Sequence, residues 1–432
     1  MEEQTLAPLL SFTRDGEWGN GEPTDGFSPA FVIRGTDFAR VRSGDLSNLP
    51  LRFIRTDILG RKRIIPGDTL IETAGGTKDQ PTGRTVFMPL KIVEASSLPL
   101  ICASFARFLR PNPSEVVPAF LFWKLQDEYH SMRMLPYHIQ HTGVARFQYT
   151  QFAENYRMEM PPLPEQRSIA ATLGALDDKI ELNRRMCETL ESMARALFRD
   201  WFVDFGPTRA KMAGDAPYLA EDLWSLFPDR LDDDGKPEGW HFACVGDYLV
   251  VKRGGSPRPI QDYIGQVGYP WVKIADATAL TTPFLFATKE RIKTSGLNKT
   301  VKLREGSLIL SNSATPGLPI FLQLEACIHD GWLYFPDIQK FSLEYLYLQF
   351  QEMRTALVGK GNGSVFTNLK TEIVKNHIII DPTESALRVF DKAIEPIFSK
   401  IRTLSIESRT LAETRDMLLP RLMSGELLVA KA

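Results

Sequence analysis

Val32-Ile33-Arg34-Gly35-Thr36-Asp37 is matched, 239 residues later, by Trp271-Val272-Lys273-Ile274-Ala275-Asp276. Both stretches begin with apolar residues, carry a cation at the third position and end on aspartate. The same interval of 239 residues separates Pro66–Ile71 from Glu305–Leu310. Repetition at one fixed interval predicts two similar domains in one chain.

A long helix is predicted after each copy. The first begins near Pro161–Glu165, because proline is tolerated in the first turn of a helix and not later. Thr383 is the expected N-cap of the second. The core positions of the first helix alternate steps of three and four: Leu173, Leu176, Ile180, Asn183, Cys187, Leu190, Ala194, Leu197 and Trp201. The second helix repeats this phase 221 residues later: Ile394, Ile397, Ile401, Leu404, Ser408, Leu411, Arg415, Leu418 and Leu422.

Two matched seams predict that the helices pack on each other as an antiparallel coiled coil. A helix of about 40 residues is about 60 Å long at 1.5 Å per residue. Pro396 is expected to kink the second helix or to delay its regular part. Polar Asn183, Ser408 and Arg415 are expected to fix the register or to mark where another chain docks.

The expected architecture is α+β, with two similar α/β domains separated by two long antiparallel helices. Its segments are the first domain (1–160), the first helix (161–206), an acidic connector (207–238), the second domain (239–382) and the second helix (383–432). In the first domain, strands are predicted at Phe31–Ile33, Thr69–Ile71 and Thr85–Val93. A helix is predicted at Val116–Leu125.

The composition is that of a globular protein, with 432 residues, 43% hydrophobic and 24% charged. The four cysteines lie far apart, so neither a disulfide framework nor a zinc knuckle is indicated, and a reducing compartment is favoured. The sequence has no basic-then-apolar leader and no run of about 18 apolar residues. A cytoplasmic location is therefore expected.

The formal charge of −2 conceals a segregation of charge along the chain. Between Arg34 and Arg110, 13 Lys/Arg stand against 7 Asp/Glu, a difference of +6. Between Lys252 and Arg304 the counts are 10 and 3, or +7, and from Ala213 to Glu238 they are 2 and 8, or −6. A single basic cluster is usually solvated surface, but basic clusters in both copies favour a polyanionic partner.

Motifs for catalysis are missing. The sequence contains no phosphate-binding Gly-x-x-x-x-Gly-Lys-Ser/Thr loop, no adenine-methylating Asn/Asp-Pro-Pro-Tyr/Phe motif, no Gly-x-Ser-x-Gly elbow and no His-Glu-x-x-His pair. The one close histidine pair, His138 and His141, fits a solvated loop better than a metal site. We therefore expect no catalytic residue, bound cofactor or metal in this chain.

Glycine-rich loops follow predicted strands in both copies, around Gly75-Gly76 and Ser311–Gly317, and again around Gly143–Arg146 and Gly359–Ser364. Glycine permits close backbone approach, while hydroxyl, amide and cationic side chains bond phosphates or base edges. Most such clusters are simply turns, which remains the main alternative for the glycines. The candidate DNA-binding residues are Arg34, Thr77, Lys78, Arg84, Arg146, Arg253, Arg258, Lys273, Asn312, Ser313, Thr315, Lys360, Asn362 and Ser364.

Four helix and domain motifs carry a family resemblance: Leu163–Ala170 (LPEQRSIA), Leu176–Asn183 (LDDKIELN), Trp201–Phe205 (WFVDF) and Met417–Leu427 (MLLPRLMSGEL). Gly254–Pro257 and Trp271–Ile274 add the opening of a recognition domain. The chain closely resembles the DNA-specificity subunit of type I restriction–modification enzymes over nearly its whole length. In the first domain, Asp15-Gly16-Glu17-Trp18 stands in for the glycine-rich opening.

The resemblance implies that each domain reads one half of a split DNA site and that the helices set the gap. It also implies docking of two methyltransferase subunits on the helices, accompanied by two restriction subunits. Those partners would supply S-adenosylmethionine, ATP and Mg, and none of these would bind this chain. The implied partner-binding residues are Glu165, Gln166, Arg167, Asp177, Asp178, Asn183, Trp201, Phe202, Arg415, Leu418 and Leu419.

Three other functions compete with this interpretation. The main alternative is an autonomous DNA-binding regulator or architectural protein that needs no enzyme partner. A self-contained methyltransferase or nuclease is disfavoured by the missing motifs. A purely structural coiled-coil scaffold leaves the duplicated basic domains unexplained.

Overall fold

The computed structural model describes residues 2–76, 80–140, 145–360 and 369–429, with side chains omitted at 357–360. The chain divides into two compact units. Unit 1 comprises Met1–Glu181 and Arg409–Ala432, and unit 2 comprises Leu182–Ser408. Thr77, Lys78, Asn362 and Ser364 fall outside the described residues.

Unit 1 mixes short strands with helices. Its strands are β1 (Glu2–Thr5), β2 (Leu10–Asp15), β3 (Phe27–Ile33), β4 (Leu51–Arg55), β5 (Thr69–Glu72), β6 (Thr85–Phe87), β7 (Leu100–Cys102), β8 (Ala106–Pro111), β9 (His138–Gln140), β10 (Ala145–Phe147) and β11 (Arg157–Met160). Its helices are α1 (Phe38–Arg42), α2 (Thr56–Lys62), α3 (Leu90–Glu94), α4 (Pro118–His130), α5 (Tyr149–Asn155) and the first part of α6 (Leu163–Phe202). Short 3-10 turns occupy Ala7–Leu9, Gly35–Asp37 and Leu135–Tyr137.

Two sheets organise unit 1. One has the strand order β2-β8-β5-β6, and the other has the order β4-β3-β7. In the second sheet β3 pairs antiparallel with β4 and parallel with β7. Every residue of β5 and β7 is buried, so both strands are covered on both faces. Two ribbons, β1–β11 and β9–β10, complete the unit.

Unit 2 has the same kinds of element. Its strands are β12 (His241–Cys244), β13 (Leu249–Arg253), β14 (Ile264–Gly265), β15 (Tyr269–Val272), β16 (Phe284–Leu285), β17 (Glu290–Ile292), β18 (Val301–Leu303), β19 (Leu308–Ser311), β20 (Pro319–Leu322), β21 (Ala326–Ile328), β22 (Trp332–Ile338) and β23 (Ile378–Asp381). Besides part of α6, its helices are α7 (Gly206–Ala213), α8 (Glu221–Trp224), α9 (Val245–Tyr248), α10 (Ile274–Thr278), α11 (Leu343–Lys360), α12 (Thr371–Lys375) and most of α13 (Glu384–Met423). The 3-10 turns of this unit are Ile260–Asp262 and Thr294–Lys299.

The sheets of unit 2 repeat those of unit 1. The order β13-β22-β19-β20-β16 extends the β2-β8-β5-β6 pattern by one strand, and β14-β17-β15-β21-β18 contains the counterpart of β4-β3-β7. In that counterpart, β15 pairs antiparallel with β17 and parallel with β21. The ribbon β12–β23 corresponds to β1–β11. The sequence repeat is therefore a repeat of topology, and the predicted α+β architecture is confirmed.

The two long helices match each other. Helices α6 and α13 are each 40 residues long, and both their first and their last residues differ by 221 in number. Every predicted seam position is buried or half-buried. Within unit 2, Asn183 Nδ2 donates to Glu407 Oε2 at 2.9 Å, whereas the Phe198 ring lies 5.9 Å from that of Phe390. Residues with higher numbers in α6 therefore contact residues with lower numbers in α13. The packed helices are antiparallel, as predicted.

Each unit builds its core against these helices. In unit 1, Leu173 of α6 and Leu419, Leu422 and Met423 of α13 join the core that holds Phe120 and Phe152. In unit 2, aromatic residues dominate the corresponding core: Phe198, Trp201, Phe202, Trp240, Tyr345 and Phe390. The apolar seams are therefore parts of the unit cores as well as of the helix pair.

The structure corrects some local predictions and confirms one. The strand predicted at Thr85–Val93 is wrong beyond Phe87, because Pro89 cannot donate to a sheet and instead precedes α3 (Leu90–Glu94). Helix α13 starts at Glu384 and continues through Pro396, so its regular part is not delayed. Pro396 is solvent-exposed. Thr383 is the N-cap as predicted, since its hydroxyl accepts the Ala386 N–H at 3.4 Å.

Candidate nucleic-acid interface

Three segments of unit 2 converge on Asp330. They are Gly254–Arg258 after β13, Asn312–Gly317 after β19 and His329–Gly331 before β22. The Ser256 hydroxyl donates to Asp330 Oδ1 at 2.6 Å, and Asn312 Nδ2 donates to the Asp330 carbonyl at 3.1 Å. We call this group of segments the Asp330 cluster.

Two predicted DNA-binding arginines lie at the surface of the Asp330 cluster. The side chains of Arg253 and Arg258 are 52% and 78% exposed, and their guanidinium groups lie 3.7 and 3.3 Å from Asp330 Oδ2. Burial disfavours the charged form of Asp330, but the hydrogen bond from Ser256 and the nearby cations outweigh it and lower the pKa of this carboxyl. The carboxylate therefore stays ionised and faces both arginines at the surface of the cluster.

Asn312 acts inside the cluster rather than on its surface. The residue is 2% exposed, and its backbone carbonyl accepts the Leu369 N–H at 2.6 Å. Among the described residues, no hydrogen-bond donor reaches its side-chain oxygen. Ser313 and Thr315, next along the loop, are half-buried. Their hydroxyls are therefore better placed than the Asn312 amide to meet a ligand.

His329 belongs to the same cluster, and the sequence prediction missed it. Its Nδ1 accepts the Gly331 N–H at 2.7 Å, and the rings of Trp271 and Trp332 lie 6.1 and 6.4 Å away. Burial is the largest cause that lowers the pKa of this imidazole. Its place directly after β21, beside the glycine-rich opening, is the only sequence signal that could have indicated it.

The matching loops of unit 1 also meet. The Phe147 N–H donates to the Thr73 carbonyl at 2.9 Å, as the Leu369 N–H does to Asn312 in unit 2. Ala74 forms an isolated antiparallel bridge with Arg146. Arg146 is exposed on β10. The structure thus joins the two loops that the sequence singled out in this domain.

The glycine-rich opening has a counterpart in unit 1 as well. A Cβ on Gly16 would lie 1.9 Å from the Cys102 carbonyl oxygen, and one on Gly254 would lie 2.3 Å from that of His329. The N–H of each glycine donates to a backbone carbonyl, of Ala106 and Trp332 respectively. Only glycine fits either position, so Gly16 fills the role of Gly254.

Arg84 has a structural partner. Its Nε and Nη2 donate to the Glu72 carboxylate at 2.9 and 2.5 Å, and Glu72 is buried. This hydrogen bond raises the pKa of Arg84, against the effect of burial. A buried carboxylate needs such a cation, so stabilising Glu72 accounts for Arg84 without a ligand.

Arg34 and Lys273 occupy equivalent turns. Asp37 accepts the Arg34 N–H at 3.0 Å, and Asp276 accepts the Lys273 N–H at 2.9 Å. Arg34 Nε also binds Asp37 at 2.8 Å, whereas Lys273 Nζ binds Glu290 at 2.5 Å. The repeated aspartate is therefore a buried turn residue, while the cations remain partly exposed. Lys360 ends α11, and its side chain is not described.

The chain is similar to two specificity subunits of type I restriction enzymes. It is 29% identical to the HindI specificity subunit of Haemophilus influenzae over 74% of this chain and 79% of that protein. It is 25% identical to the MjaIX specificity subunit of Methanocaldococcus jannaschii over 95% of this chain and 92% of that protein. No family model matches the sequence.

A solved structure has the same fold. The crystal structure of the type I restriction–modification S subunit from M. genitalium matches with a TM-score of 0.53. The match covers 98% of this chain and 95% of that chain, at 12% identity. The resemblance to type I specificity subunits is confirmed.

The residues that this resemblance implies for partner binding fall into a buried group and a group that reaches the surface. Gln166, Asn183, Trp201, Phe202 and Leu419 are buried within their own units. Gln166, for example, accepts the Val117 N–H at 2.9 Å and donates to the Pro161 carbonyl at 2.9 Å. In this structure these five side chains are enclosed by their own units and offer no surface to a partner.

The other specificity-subunit motif residues reach the surface. Arg167 and Asp178 are exposed, and Glu165, Asp177, Arg415 and Leu418 are half-buried. Asp177 and Asp178 lie at the rim of a cavity of about 390 Å³ in unit 1. Its walls combine the aromatic rings of Phe87, Phe122 and Trp123 with the small residues Ala170, Ala171, Gly174 and Ala175.

The described residues lack two features. No helix there is both long and apolar enough to span a membrane. Likewise, no group of three or more His, Cys, Asp or Glu side chains in the described ranges is placed to hold a metal ion.

Proposed function

We propose that this chain is the DNA-specificity subunit of a type I restriction–modification complex. Each unit reads one half of a bipartite DNA site, and the helices α6 and α13 set the gap between the halves and dock two methyltransferase subunits. The observation that carries the proposal is the duplicated topology, in which both units place equivalent loops beside exposed cations. Two similar readers in one chain suit one asymmetric partner that is contacted twice.

The chemistry of the loops supports reading of duplex DNA. Arg253 and Arg258 in unit 2 and Arg146 in unit 1 present guanidinium groups that can contact phosphates or guanine edges. In unit 2 the Ser313 hydroxyl lies beside Gly331 of the Asp330 cluster, where an added Cβ on Gly331 would be 2.8 Å from Ser313 Oγ. Phosphate contacts would position each unit, and base contacts would select the sequence.

Two surfaces support docking of the methyltransferase subunits. The cavity beside Asp177 and Asp178 offers an apolar interior with a charged rim. In the unit 2 part of α6, Leu182, Met186 and Met193 are exposed apolar residues, with Leu182 at 52% and Met193 at 54%. Their spacing of four and seven places them on one helical face, and such a face suits a protein partner.

In this proposal the chain has no catalytic role of its own. Methyltransferase subunits bring S-adenosylmethionine and methylate adenine, and two restriction subunits use ATP and Mg to cut unmodified DNA. The support is the lack of catalytic motifs in the sequence together with the similarity to specificity subunits.

The proposal is tested by exchanging residues 1–160 for the corresponding domain of another specificity subunit. The chimaera and the native chain are each expressed with the methyltransferase partner, and methylated adenines are mapped across the host genome. We expect one half of the methylated site to change while the other half and the gap remain. A change in both halves contradicts independent reading, and absence of methylation with either chain contradicts the role in the complex.

A docking test separates the proposal from an autonomous regulator. The double variant Met186→Asp/Met193→Asp should lose co-purification of the methyltransferase subunit, whereas Ser192→Asp, at an exposed polar position of α6 turned about 100° away from that face, should retain it. Retention by both variants removes this docking surface. Tight, sequence-specific binding by the isolated chain, with no association with the methyltransferase, favours the regulator.

A further inference from the structure

A second cationic site lies in unit 2, next to the Asp330 cluster. It is a cavity of about 300 Å³ between α6, α11 and the segment that follows α10. The polar side chains of its lining include Arg195, Thr281, Thr282, Gln351, Arg354 and Thr355. We call it the two-arginine pocket.

In the described part of the chain, neither arginine of this pocket is paired with a carboxylate, unlike Arg199 of α6. Arg199, one turn further along α6, pairs with Glu352 at 2.7 Å. By contrast, within the part of the chain that the structure describes, no carboxylate lies within 4 Å of the Arg195 or Arg354 guanidinium. Two cations that share one cavity, neither of them paired with a carboxylate, favour an anionic ligand.

The acidic residue of the pocket is already engaged. Glu191 Oε1 accepts hydrogen bonds from the Tyr347 hydroxyl and from Gln351 Nε2, both at 2.8 Å. Tyr347 is buried, and burial together with Glu191 raises the pKa of its hydroxyl well above the usual value. The Tyr347 hydroxyl therefore keeps its proton and continues to donate to Glu191. With two arginines and one glutamate, the pocket carries one net positive charge.

Hydroxyl groups complete a set of donors for a phosphate. Thr281 and Thr282 lie at one wall, and the Thr282 hydroxyl is 3.1 Å from that of Ser405. Guanidinium groups with neighbouring hydroxyls match the oxygens of a phosphodiester, and arginine binds such oxygens in a bidentate manner.

The pocket is continuous with the candidate reading surface. Gly317, at the end of the Asn312–Gly317 loop, packs against Arg354 so closely that an added Cβ would lie 3.3 Å from Arg354 Cβ and Cγ. A strand of DNA that meets this loop would therefore bring its backbone next to the pocket. This continuity favours a DNA phosphate over the carboxylate of a protein partner.

We infer that Arg195 and Arg354 bind a backbone phosphate next to the half-site that unit 2 reads. The inference rests on the proposed function and adds a contact that carries no base preference. The contact belongs to one half of the site, because the residue of α13 that lies 221 positions after Arg195 is Asp416. An acidic residue at the equivalent place cannot form the same site in unit 1.

The test uses the chain assembled with its methyltransferase subunits and a fluorescent duplex that carries the mapped site. Affinity is measured by anisotropy over a range of salt concentrations for Arg195→Gln, Arg354→Gln and the double variant. Each single variant should bind about tenfold more weakly at low salt and should reduce the slope of log Kobs against log[salt] by about 0.9. Preference between matched and mismatched duplexes should not change. Arg388→Gln, at an exposed position of α13, is the control and should bind like the native chain.

A second measurement locates the phosphate. Duplexes with a single neutral methylphosphonate linkage are scanned along both strands, and one position beside the unit 2 half-site should weaken the native complex but not the double variant. Inorganic phosphate serves as a competitor, and should weaken binding by the native complex more than binding by the double variant.

Other outcomes overturn the inference without touching the proposed function. An unchanged salt slope in the double variant refutes the phosphate contact while native recognition of the bipartite site stands. Loss of methyltransferase assembly at unchanged DNA affinity shows that the pocket binds a protein carboxylate. If the native complex itself has no bipartite specificity, the proposed function fails first.

Discussion

Arg42 in α1 donates two hydrogen bonds to Asp177 in α6, from Nε at 3.1 Å and from Nη2 at 2.7 Å. The same carboxylate accepts a bond from Arg415 of α13 at 2.5 Å. The Arg42 guanidinium also lies over the rings of Phe122 and Trp123. One aspartate therefore ties a small helix of the β-rich domain to both long helices within unit 1.

Replacement of Asp177 should destabilise unit 1 more than its partial exposure suggests. Asp177→Ala leaves two guanidinium groups without their acceptor, and we expect the free energy of unfolding to fall by about 1–3 kcal/mol. A double-mutant cycle with Arg42→Ala, followed by denaturant unfolding, should give a coupling energy of about 1 kcal/mol. The control is Asp178→Ala, whose pair with Lys91 is 68% exposed at the aspartate and should contribute less than about 0.5 kcal/mol. Equal effects of the two substitutions would contradict this assignment.

The helix pair was predictable from sequence for a physical reason. Apolar side chains repeat with the period of a packed helix, and both copies keep this period over 40 residues. Pro89 and Pro396 show the limit of such reasoning. Pro89 ends a short strand, as proline is expected to do. Pro396 instead lies on the exposed face of α13, and the helix continues through it because its other residues pack as a helix.

The Asp330 carboxylate should lower the affinity of the chain for DNA of any sequence. Asp330→Asn removes the negative charge that faces Arg253 and Arg258, so both arginines become available to phosphates. We expect affinity for a non-specific duplex to rise severalfold and the salt slope to steepen by about 0.9. Anisotropy titrations at several salt concentrations measure both quantities. Asp262→Asn, at another exposed aspartate of unit 2, should have little effect. Unchanged binding by the Asp330 variant would show that its carboxylate does not hold the arginines back.

His329 should make the stability of unit 2 depend on pH. Burial lowers its pKa in the folded state, with Lys273 and Arg253 acting in the same direction and Asp330 in the opposite one. The unfolded chain therefore binds more protons than the folded chain just below the usual histidine pKa of about 6.5. The resulting stability is present above that pH and is lost as the pH falls through the folded pKa.

Denaturant unfolding of the native chain at pH 5–8, followed by the fluorescence of the nearby tryptophans, measures this dependence. His329→Gln keeps an acceptor for the Gly331 N–H and should flatten the curve between about pH 5 and 7. His241→Gln, at an exposed histidine of the same unit, serves as the control. A curve of the same steepness for His329→Gln would remove His329 as its cause.

The candidate site was less predictable than the helices. Sequence identified the loops around Thr73 and Asn312 because glycines and hydroxyls cluster there, and the structure bonds Thr73 to Phe147 and Asn312 to Leu369. It did not identify Asp330 or His329, since much of their importance comes from contacts with residues distant in sequence, such as the bond between Asp330 and Ser256, 74 positions apart. Nor did it separate Arg84, which neutralises the buried Glu72, from arginines that face solvent.

Asn183 should lower the stability of the helix pair while it fixes the register of the two helices. Its side chain is fully buried in the helix pair, and its amide donates to Glu407 while, among the described residues, its oxygen has no donor. Asn183→Leu should raise the free energy of unfolding by about 1–2 kcal/mol, because an unsatisfied polar atom is removed. The variant should also tolerate shifted registers, seen as methylation at sites with more than one gap length. Greater stability with an unaltered single gap would show that this residue does not set the register.

The length of the helices should set the gap between half-sites. One heptad is inserted after Arg184 in α6 and one after Ser405 in α13. These positions differ by 221 and lie near the Asn183–Glu407 contact, so the insertions preserve both seams. Seven residues add about 10 Å of helix, which equals about three base pairs. Genome-wide mapping of methylated adenines should then show unchanged half-sites separated by a gap about three base pairs longer. An insertion in α6 alone, which leaves the seams unequal, should abolish methylation. If the double insertion methylates the native site with its native gap, the helices do not measure the distance.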